Sequence, residues 1–189
     1  MKRQVHVEYA DAPPRVQAIY DEIKNVTGAP DVPNVFKALG KNENALFAAW
    51  TKLRFTVLTG DVPMLLKQLV LFNISARAHN EYCTTLHGNL AMNLDRTLTC
   101  DELLRMSRGD VIERLPRSYQ VAIETVTKVA LDGDSAAAGE LPLGARLRDE
   151  GFSEREMDEL LSLASLGTMM NTITNIFDIP VDQPFPPLD

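Results

Sequence analysis

The feature that most constrains this chain is the spacing of its apolar residues, which recur at helical intervals in segments separated by proline and glycine. Pro13 and Pro14 precede one such segment, and Gly28 with Pro30 ends it. Proline suits the first turn of a helix, and glycine suits the position after the last turn. The same pattern recurs along the chain up to Pro180. The alternation of apolar and polar residues that is typical of half-buried strands does not recur in this way. The sequence therefore predicts an all-α protein, folded as a helical bundle.

Capping motifs mark the starts of two later helices. Thr99 lies three residues before Glu102, and Ser153 lies three residues before Glu156, which is the spacing of a capping box. Asp61, two residues before a proline, is a further predicted cap. The small and polar stretch 134–139 is predicted to be a loop, and the proline-containing end 183–189 an extended arm. Apolar stripes predict further helices over about 46–57, 65–74, 80–94 and 119–129.

Charge and composition limit the possible partners. The formal charge is -7, which argues against binding to nucleic acid or anionic lipid because both require a positive surface. No apolar run reaches the roughly 18 residues that would indicate a membrane span. The chain has two cysteines, which are too few for a secreted disulfide scaffold of 189 residues. We therefore expect free thiols and a cytoplasmic location.

The segment 79–87 carries the candidate chemistry. Cys83 and His87 are one helical turn apart, so the imidazole can accept the thiol proton or stabilise the thiolate. Cys83 would also lie in the first turn of a helix, where the positive helix end lowers a thiol pKa, although burial and Glu81 act in the opposite direction. We expect Cys83 to be alkylated well below the pH that a free thiol with a pKa of about 8.5 requires, and Cys100 not to be. The alternative is a small buried cysteine beside a hydrogen-bonded core histidine.

A metal site is not expected. His79, Cys83 and His87 have the spacing i, i+4, i+8, which places the outer two about 12 Å apart along a helix axis. Zinc ligands lie within about 2.3 Å of one ion, so these three side chains cannot share a metal. Cys100 precedes two acidic residues, which disfavour a thiolate, and it is interpreted as structural. We expect neither a metal nor a cofactor.

Several segments resemble one family. Residues 67–70 (Lys-Gln-Leu-Val) and 80–87 (Asn-Glu-Tyr-Cys-Thr-Thr-Leu-His) resemble the core of the alkylhydroperoxidase AhpD and carboxymuconolactone decarboxylase superfamily. The resemblance extends to 98–104, 151–157 and 171–181, and so covers most of positions 40–182. It implies an AhpD-like helical bundle that assembles as a homo-oligomer. Residues 1–189 would form a single domain, with a helical extension before the core and a proline-rich arm after it.

The resemblance also implies a mechanism. Peroxidatic members carry Cys-x-x-Cys followed by x-x-x-His, with a glutamate one helix earlier. Carried over, the attacking cysteine is Cys83 and the histidine is His87, while Asn80 stands where the resolving cysteine would be and Gln68 where the glutamate would be. Gln68 cannot take up a proton. The implied enzyme reduces a peroxide through a sulfenic acid at Cys83 and an external thiol, with Gln68, Asn80 and Tyr82 offering hydrogen bonds.

Two other functions remain open. The first is a lyase or isomerase of the decarboxylase branch, in which His87 would act as acid or base on a small carboxylated ring. The second is a non-catalytic relative that keeps the fold for oligomer assembly or ligand binding. Apolar stripes on nearly every helix, together with the arm at 183–189, predict a homodimer or a larger ring.

Overall fold

The computed structural model describes residues 6–132 and 143–188. Within these ranges the chain forms nine α-helices, one short 3₁₀ helix at Tyr9–Asp11 and no strand, so the prediction of an all-α protein is confirmed. The predicted loop at 134–139 lies outside the described residues. The helices are α1 Pro14–Thr27, α2 Asn34–Leu39, α3 Glu43–Val57, α4 Met64–Arg77, α5 Glu81–Leu94, α6 Cys100–Ser107, α7 Arg117–Asp132, α8 Leu143–Asp149 and α9 Glu154–Phe177.

Most helix ends lie where the local sequence predicts them. Helix α1 begins at Pro14 and is followed by Gly28, whose φ of 70° is favourable for glycine. Both capping boxes are present, at the starts of α6 and α9. The prediction of a cap at Asp61 was wrong, because α4 begins at Met64 after Pro63. Helix α8 was not predicted, since seven residues are too few to show a clear helical period.

Helix α4 is the centre of the bundle. Ten of its 14 residues are buried, which agrees with its nearly continuous apolar sequence. It packs against α5, α7 and α9, and α5 also packs against α9. Side chains from α4, α5 and α9 are therefore brought together at one place. Of the described helices, none combines the length and the apolar character needed to cross a bilayer.

An ion pair between the buried Lys67 and the largely buried Glu159 joins α4 and α9. The side chain of Lys67 is 1% exposed, and its ammonium group lies 3.2 Å from Glu159 Oε2. The same ammonium donates to the carbonyl oxygen of Thr56 at 3.0 Å. Glu159 accepts further hydrogen bonds from the amides of Asp61 and Val62, at 2.8 and 3.0 Å. These bonds fix the loop between α3 and α4 onto α9.

The segment after α9 is non-helical, as predicted, and it folds back over its own chain. The amide of Asn34 donates to Asp182 Oδ1 at 2.7 Å, and Asn89 Nδ2 donates to the carbonyl oxygen of Pro186 at 2.9 Å. Gly88 allows close contact, since a Cβ there would lie 2.4 Å from Leu188 Cδ1. The C-terminal arm, residues 180–188, therefore covers one face of α5.

Candidate active site

A large cavity lies among the helices α2, α3, α4, α5 and α9, the end of α1 with the loop that follows it, and the C-terminal arm. Its volume is about 940 Å³, and most of the side chains that line it are apolar. This is the size of a site for a small organic molecule and far exceeds the space that hydrogen peroxide requires. The cavity lining includes four of the residues identified from the sequence: Cys83, His87, Gln68 and Tyr82.

Asn80, the fifth residue identified from the sequence, has a structural role at the start of α5. Its Oδ1 accepts a hydrogen bond from the amide of Cys83 at 2.8 Å, which makes it the N-cap and places Cys83 in the first turn. Its Nδ2 reaches α9, where it contacts Thr174 Oγ1 at 2.7 Å and the carbonyl oxygen of Asn171 at 3.2 Å. Asn80 therefore fixes α5 to α9 and is absent from the cavity lining.

The Cys83 thiol is buried, with only 2% of the residue exposed. Burial raises its pKa to about 12, although hydrogen bonds with Thr174 and Ser75 act in the opposite direction. In the described part of the chain no hydrogen bond joins the thiol to His87, and Sγ lies 3.9 Å from Thr174 Oγ1. The expectation of a lowered thiol pKa is wrong for the resting protein, because desolvation outweighs the helix-end effect of at most about 1.5 pKa units.

The orientation and protonation of His87 are set by Gln68. Nδ1 of His87 lies 2.7 Å from Gln68 Oε1, while Gln68 Nε2 faces the sulfur of Met64 at 3.4 Å. An amide oxygen only accepts hydrogen bonds, so this orientation requires the proton on Nδ1 and leaves Nε2 as an acceptor. The residue lines the cavity and is partly buried, and this desolvation lowers the pKa of the ring to about 4. His87 is therefore neutral at pH 7, with one basic nitrogen.

The side chain of Tyr82 is hydrogen-bonded to the C-terminal arm. Its hydroxyl donates to Asp182 Oδ2, so Tyr82 holds the arm and is not free to donate to a ligand in this arrangement. Burial raises the pKa of the Tyr82 phenol and also that of the Asp182 carboxyl. Asp182 lines the cavity but was missed in the sequence, because no local motif links it to a tyrosine 100 residues earlier.

Three buried polar residues around Cys83 were also missed. Ser75 on α4 is 1% exposed, while Asn171 and Thr174 on α9 are 6% and 2% exposed. Ser75 donates to Asn171 Oδ1 at 3.0 Å, and both Ser75 and Thr174 interact with the Cys83 thiol. A sequence signal was available, because these polar residues occupy core-facing positions within apolar helical runs. Among the described residues no cluster of three His, Cys, Asp or Glu side chains suits a metal ion.

The sequence matches no protein-family model and no curated protein. Its fold is similar to several solved structures. An alkylhydroperoxidase AhpD core, peroxidase-related protein from Ralstonia eutropha JMP134 superimposes with a TM-score of 0.81 at 18% identity, over 97% of this chain and 93% of the other. A peroxidase-related protein from Silicibacter sp. TM1040 gives 0.76 at 19% identity, over 97% and 95%.

A third similar structure is the debrominase Bmp8, as a cysteine-to-alanine variant in complex with 2,3,4-tribromopyrrole. It superimposes with a TM-score of 0.75 at 16% identity, over 97% of this chain and 94% of the other. At these identities the comparisons establish the fold and leave the activity to be argued from the site. The chain therefore has the fold of the AhpD-like proteins, as the sequence resemblance predicted.

Proposed function

We propose that this protein is a thiol-dependent peroxidase that reduces a small organic hydroperoxide through Cys83. The proposal rests on one observation: Cys83 and His87, whose Nε2 is basic, both line the same large, mainly apolar cavity. Such a cavity favours an organic substrate over hydrogen peroxide. The peroxidase-related names of two similar structures support the proposal by analogy.

The reaction has two stages. The Cys83 thiol loses its proton to hydroxide from solvent, the sulfur attacks the terminal oxygen of the hydroperoxide, and the O–O bond breaks, while His87 Nε2 accepts a hydrogen bond from the hydroperoxide O–H. The alkoxide takes a proton from solvent water and leaves as an alcohol, so that the sulfur is oxidised to a sulfenic acid. An external thiol then attacks this sulfur and releases water. A second thiol regenerates Cys83 and leaves as a disulfide with the first. We place this cycle in the cytoplasm, where thiol reductants are abundant.

The high thiol pKa determines how the rate depends on pH. A pKa of about 12 leaves roughly one Cys83 in 10⁵ as thiolate at pH 7, and each further pH unit raises this fraction about tenfold. His87 is already neutral across this range, since its pKa is about 4. The proposed enzyme is therefore slow at neutral pH and becomes faster in alkaline solution.

The test combines turnover with trapping of the intermediate. Cumene hydroperoxide and dithiothreitol are supplied to the full chain between pH 7 and 9, and dimedone is added to capture sulfenic acids before mass spectrometry. We expect peroxide loss that rises about tenfold per pH unit and a dimedone adduct on Cys83. Peroxide loss without an adduct on Cys83, or no loss above the protein-free rate, would overturn the proposal.

The charges of the cavity make the lyase alternative less well supported. Of the described residues that line the cavity, two are charged, Asp31 and Asp182, and both are acidic. Asp31 is mostly exposed and is already paired with Lys37. The described lining residues therefore offer no free cation to a carboxylated ring, and burial of its carboxylate would cost free energy. The pyrrole bound by the similar debrominase carries bromine and, by its name, no carboxylate.

Gln68→Glu should convert the site toward the arrangement of peroxidatic relatives. A carboxylate 2.7 Å from Nδ1 would stabilise the imidazolium, so we expect the pKa of His87 to rise by about 1 to 3 units and turnover near pH 7 to increase. The pKa is measured by NMR titration of the His87 ring. Gln17→Glu, at a half-buried position of α1 outside the cavity lining, serves as the control and should leave the pKa of His87 unchanged. An unchanged His87 pKa in a folded Gln68→Glu variant would contradict the proposed contact.

We also propose that the chain forms a homo-oligomer through α9. Residues 160–177 contain no charged side chain, yet Leu161 is 43% exposed and Ile176 is 72% exposed. An exposed helix face without charge is typical of a protein interface. Light scattering at micromolar concentration should give a dimer or larger, and Ile176→Lys should shift the mass toward the monomer. Leu131→Lys, at an exposed position of α7, is the control. A monomeric wild-type protein would contradict the proposal.

A further inference from the structure

The Cys83 sulfur faces two hydroxyl groups whose hydrogens are already in use. Thr174 Oγ1 accepts a hydrogen bond from Asn80 at 2.7 Å and donates its own hydrogen to the carbonyl oxygen of Met170 at 2.9 Å. Ser75 donates its hydrogen to Asn171 Oδ1 at 3.0 Å. Because both hydrogens are directed to other acceptors in this arrangement, the two hydroxyls stabilise a thiolate too weakly to offset its burial, and the thiol stays protonated.

Asn171 has one polar atom that lacks a partner. Its Nδ2 is buried and makes no hydrogen bond within the described residues. A buried donor without an acceptor costs free energy and calls for an explanation. Rotation of the amide by 180° would place Nδ2 against Ser75 Oγ and leave Oδ1 without a partner. The two orientations therefore have one unsatisfied atom each, and they differ in the direction of the bond to Ser75.

We propose that Asn171 and Ser75 form a hydrogen-bond switch that controls the ionisation of Cys83. In the resting orientation Ser75 donates to Asn171. In the rotated orientation Asn171 donates to Ser75, and the Ser75 hydrogen turns to the Cys83 sulfur, where it stabilises the thiolate. Ser75 then acts directly on the reacting sulfur, and Asn171 is a positioning residue. The inference rests on the proposed function only in taking Cys83 as the reacting group.

The titratable residues that line the cavity cannot stabilise the Cys83 thiolate in place of Ser75. His87 and Tyr82 face the cavity from α5, Asp182 faces it from the arm, and Asp31 from the loop before α2. The side chains that α4 and α9 contribute to the cavity lining are uncharged. His87 is neutral near pH 7 and the two aspartates carry negative charge when ionised, so none of them stabilises a thiolate by charge.

The test measures the reactivity of the Cys83 thiol and needs no substrate. Alkylation by iodoacetamide is followed across pH with mass-spectrometric assignment to Cys83 in the full chain. Ser75→Ala removes the donor, and we expect alkylation about tenfold slower at a given pH. Asn171→Leu removes the acceptor that holds the Ser75 hydrogen, and we expect alkylation about threefold to tenfold faster. The double variant should behave like Ser75→Ala, because Asn171 acts through Ser75.

The opposite signs distinguish the switch from a merely structural role. General loosening of the core would expose Cys83 and accelerate alkylation in both single variants, whereas the switch requires one to slow and the other to accelerate. Ser75→Thr keeps a hydroxyl group at this position and should be alkylated at the wild-type rate. Thr172→Leu, on the exposed side of α9, should also leave the alkylation rate unchanged. Where Asn171→Leu does not fold by circular dichroism, Asn171→Ala carries the same expectation. The proposed switch would be overturned if the alkylation rate rose in both single variants, fell in both, or changed in neither.

This readout is independent of the peroxidase proposal. Alkylation reports the thiolate of Cys83 whether or not a hydroperoxide is turned over. Absence of turnover together with the expected order of alkylation rates would reject the proposed function and leave the switch in place. Turnover through a Cys83 sulfenic acid, combined with alkylation rates in a different order, would reject the switch and support the proposed function.

Discussion

Cys83→Ser is expected to lower hydroperoxide turnover by a factor of about 1,000 or more, because it removes the nucleophile that forms the sulfenic acid. Serine is close to cysteine in size, so the buried site and its contacts with Ser75 and Thr174 should be retained. Turnover is measured with cumene hydroperoxide and dithiothreitol at pH 9, where the wild-type rate is highest in the tested range. Folding is checked by circular dichroism.

The matched control is Cys100→Ser. Cys100 is the first residue of α6 and is absent from the cavity lining, so this variant should keep its activity within about twofold of the wild type. Retention of most peroxide turnover by Cys83→Ser would contradict the proposed mechanism. Conversion of a carboxylated ring that survives in Cys83→Ser but not in His87→Gln would instead favour the lyase alternative.

Lys67→Met is expected to reduce the free energy of unfolding by about 3–5 kcal/mol, because it removes one partner of a buried ion pair. The variant leaves the Glu159 carboxylate without its cation, and it deprives the carbonyl oxygen of Thr56 of a donor. Urea unfolding measured at pH 7 gives the difference. Lys52→Met is the control: Lys52 donates to Ser165 in an exposed position on α3, so we expect a change below about 0.5 kcal/mol.

The same pair predicts how stability depends on pH. Burial by itself would raise the pKa of Glu159, but hydrogen bonds from Asp61 and Val62 and the Lys67 ammonium lower it overall. A carboxyl whose folded pKa lies below its unfolded value of about 4.3 stabilises the protein above that value, and the contribution is lost as pH falls through the folded pKa. The difference between wild type and Lys67→Met should therefore shrink below about pH 4. A difference that stays constant down to pH 3 would contradict this account.

The sequence by itself determined the features that depend on neighbours within one or two helical turns. The caps at Thr99 and Ser153 were correct because a capping box joins residues only three positions apart. The same applies to Cys83, whose place in the first turn of α5 follows from Asn80, and to His87 one turn later.

Only the tertiary structure decided the chemistry of these residues, because desolvation and long-range contacts set it. Cys83 lies at a helix start, yet its pKa is raised, since α4 and α9 remove the sulfur from water. Asp182 reaches Tyr82 from 100 residues away, and Glu159 binds the amide of Asp61 from 98 residues away. The carboxylate of Glu159 also occupies the space that a Cβ at Gly60 would need. Hydrophobic periodicity fixes which side of a helix is buried but leaves undefined which polar groups meet there, because that depends on how the helices pack together.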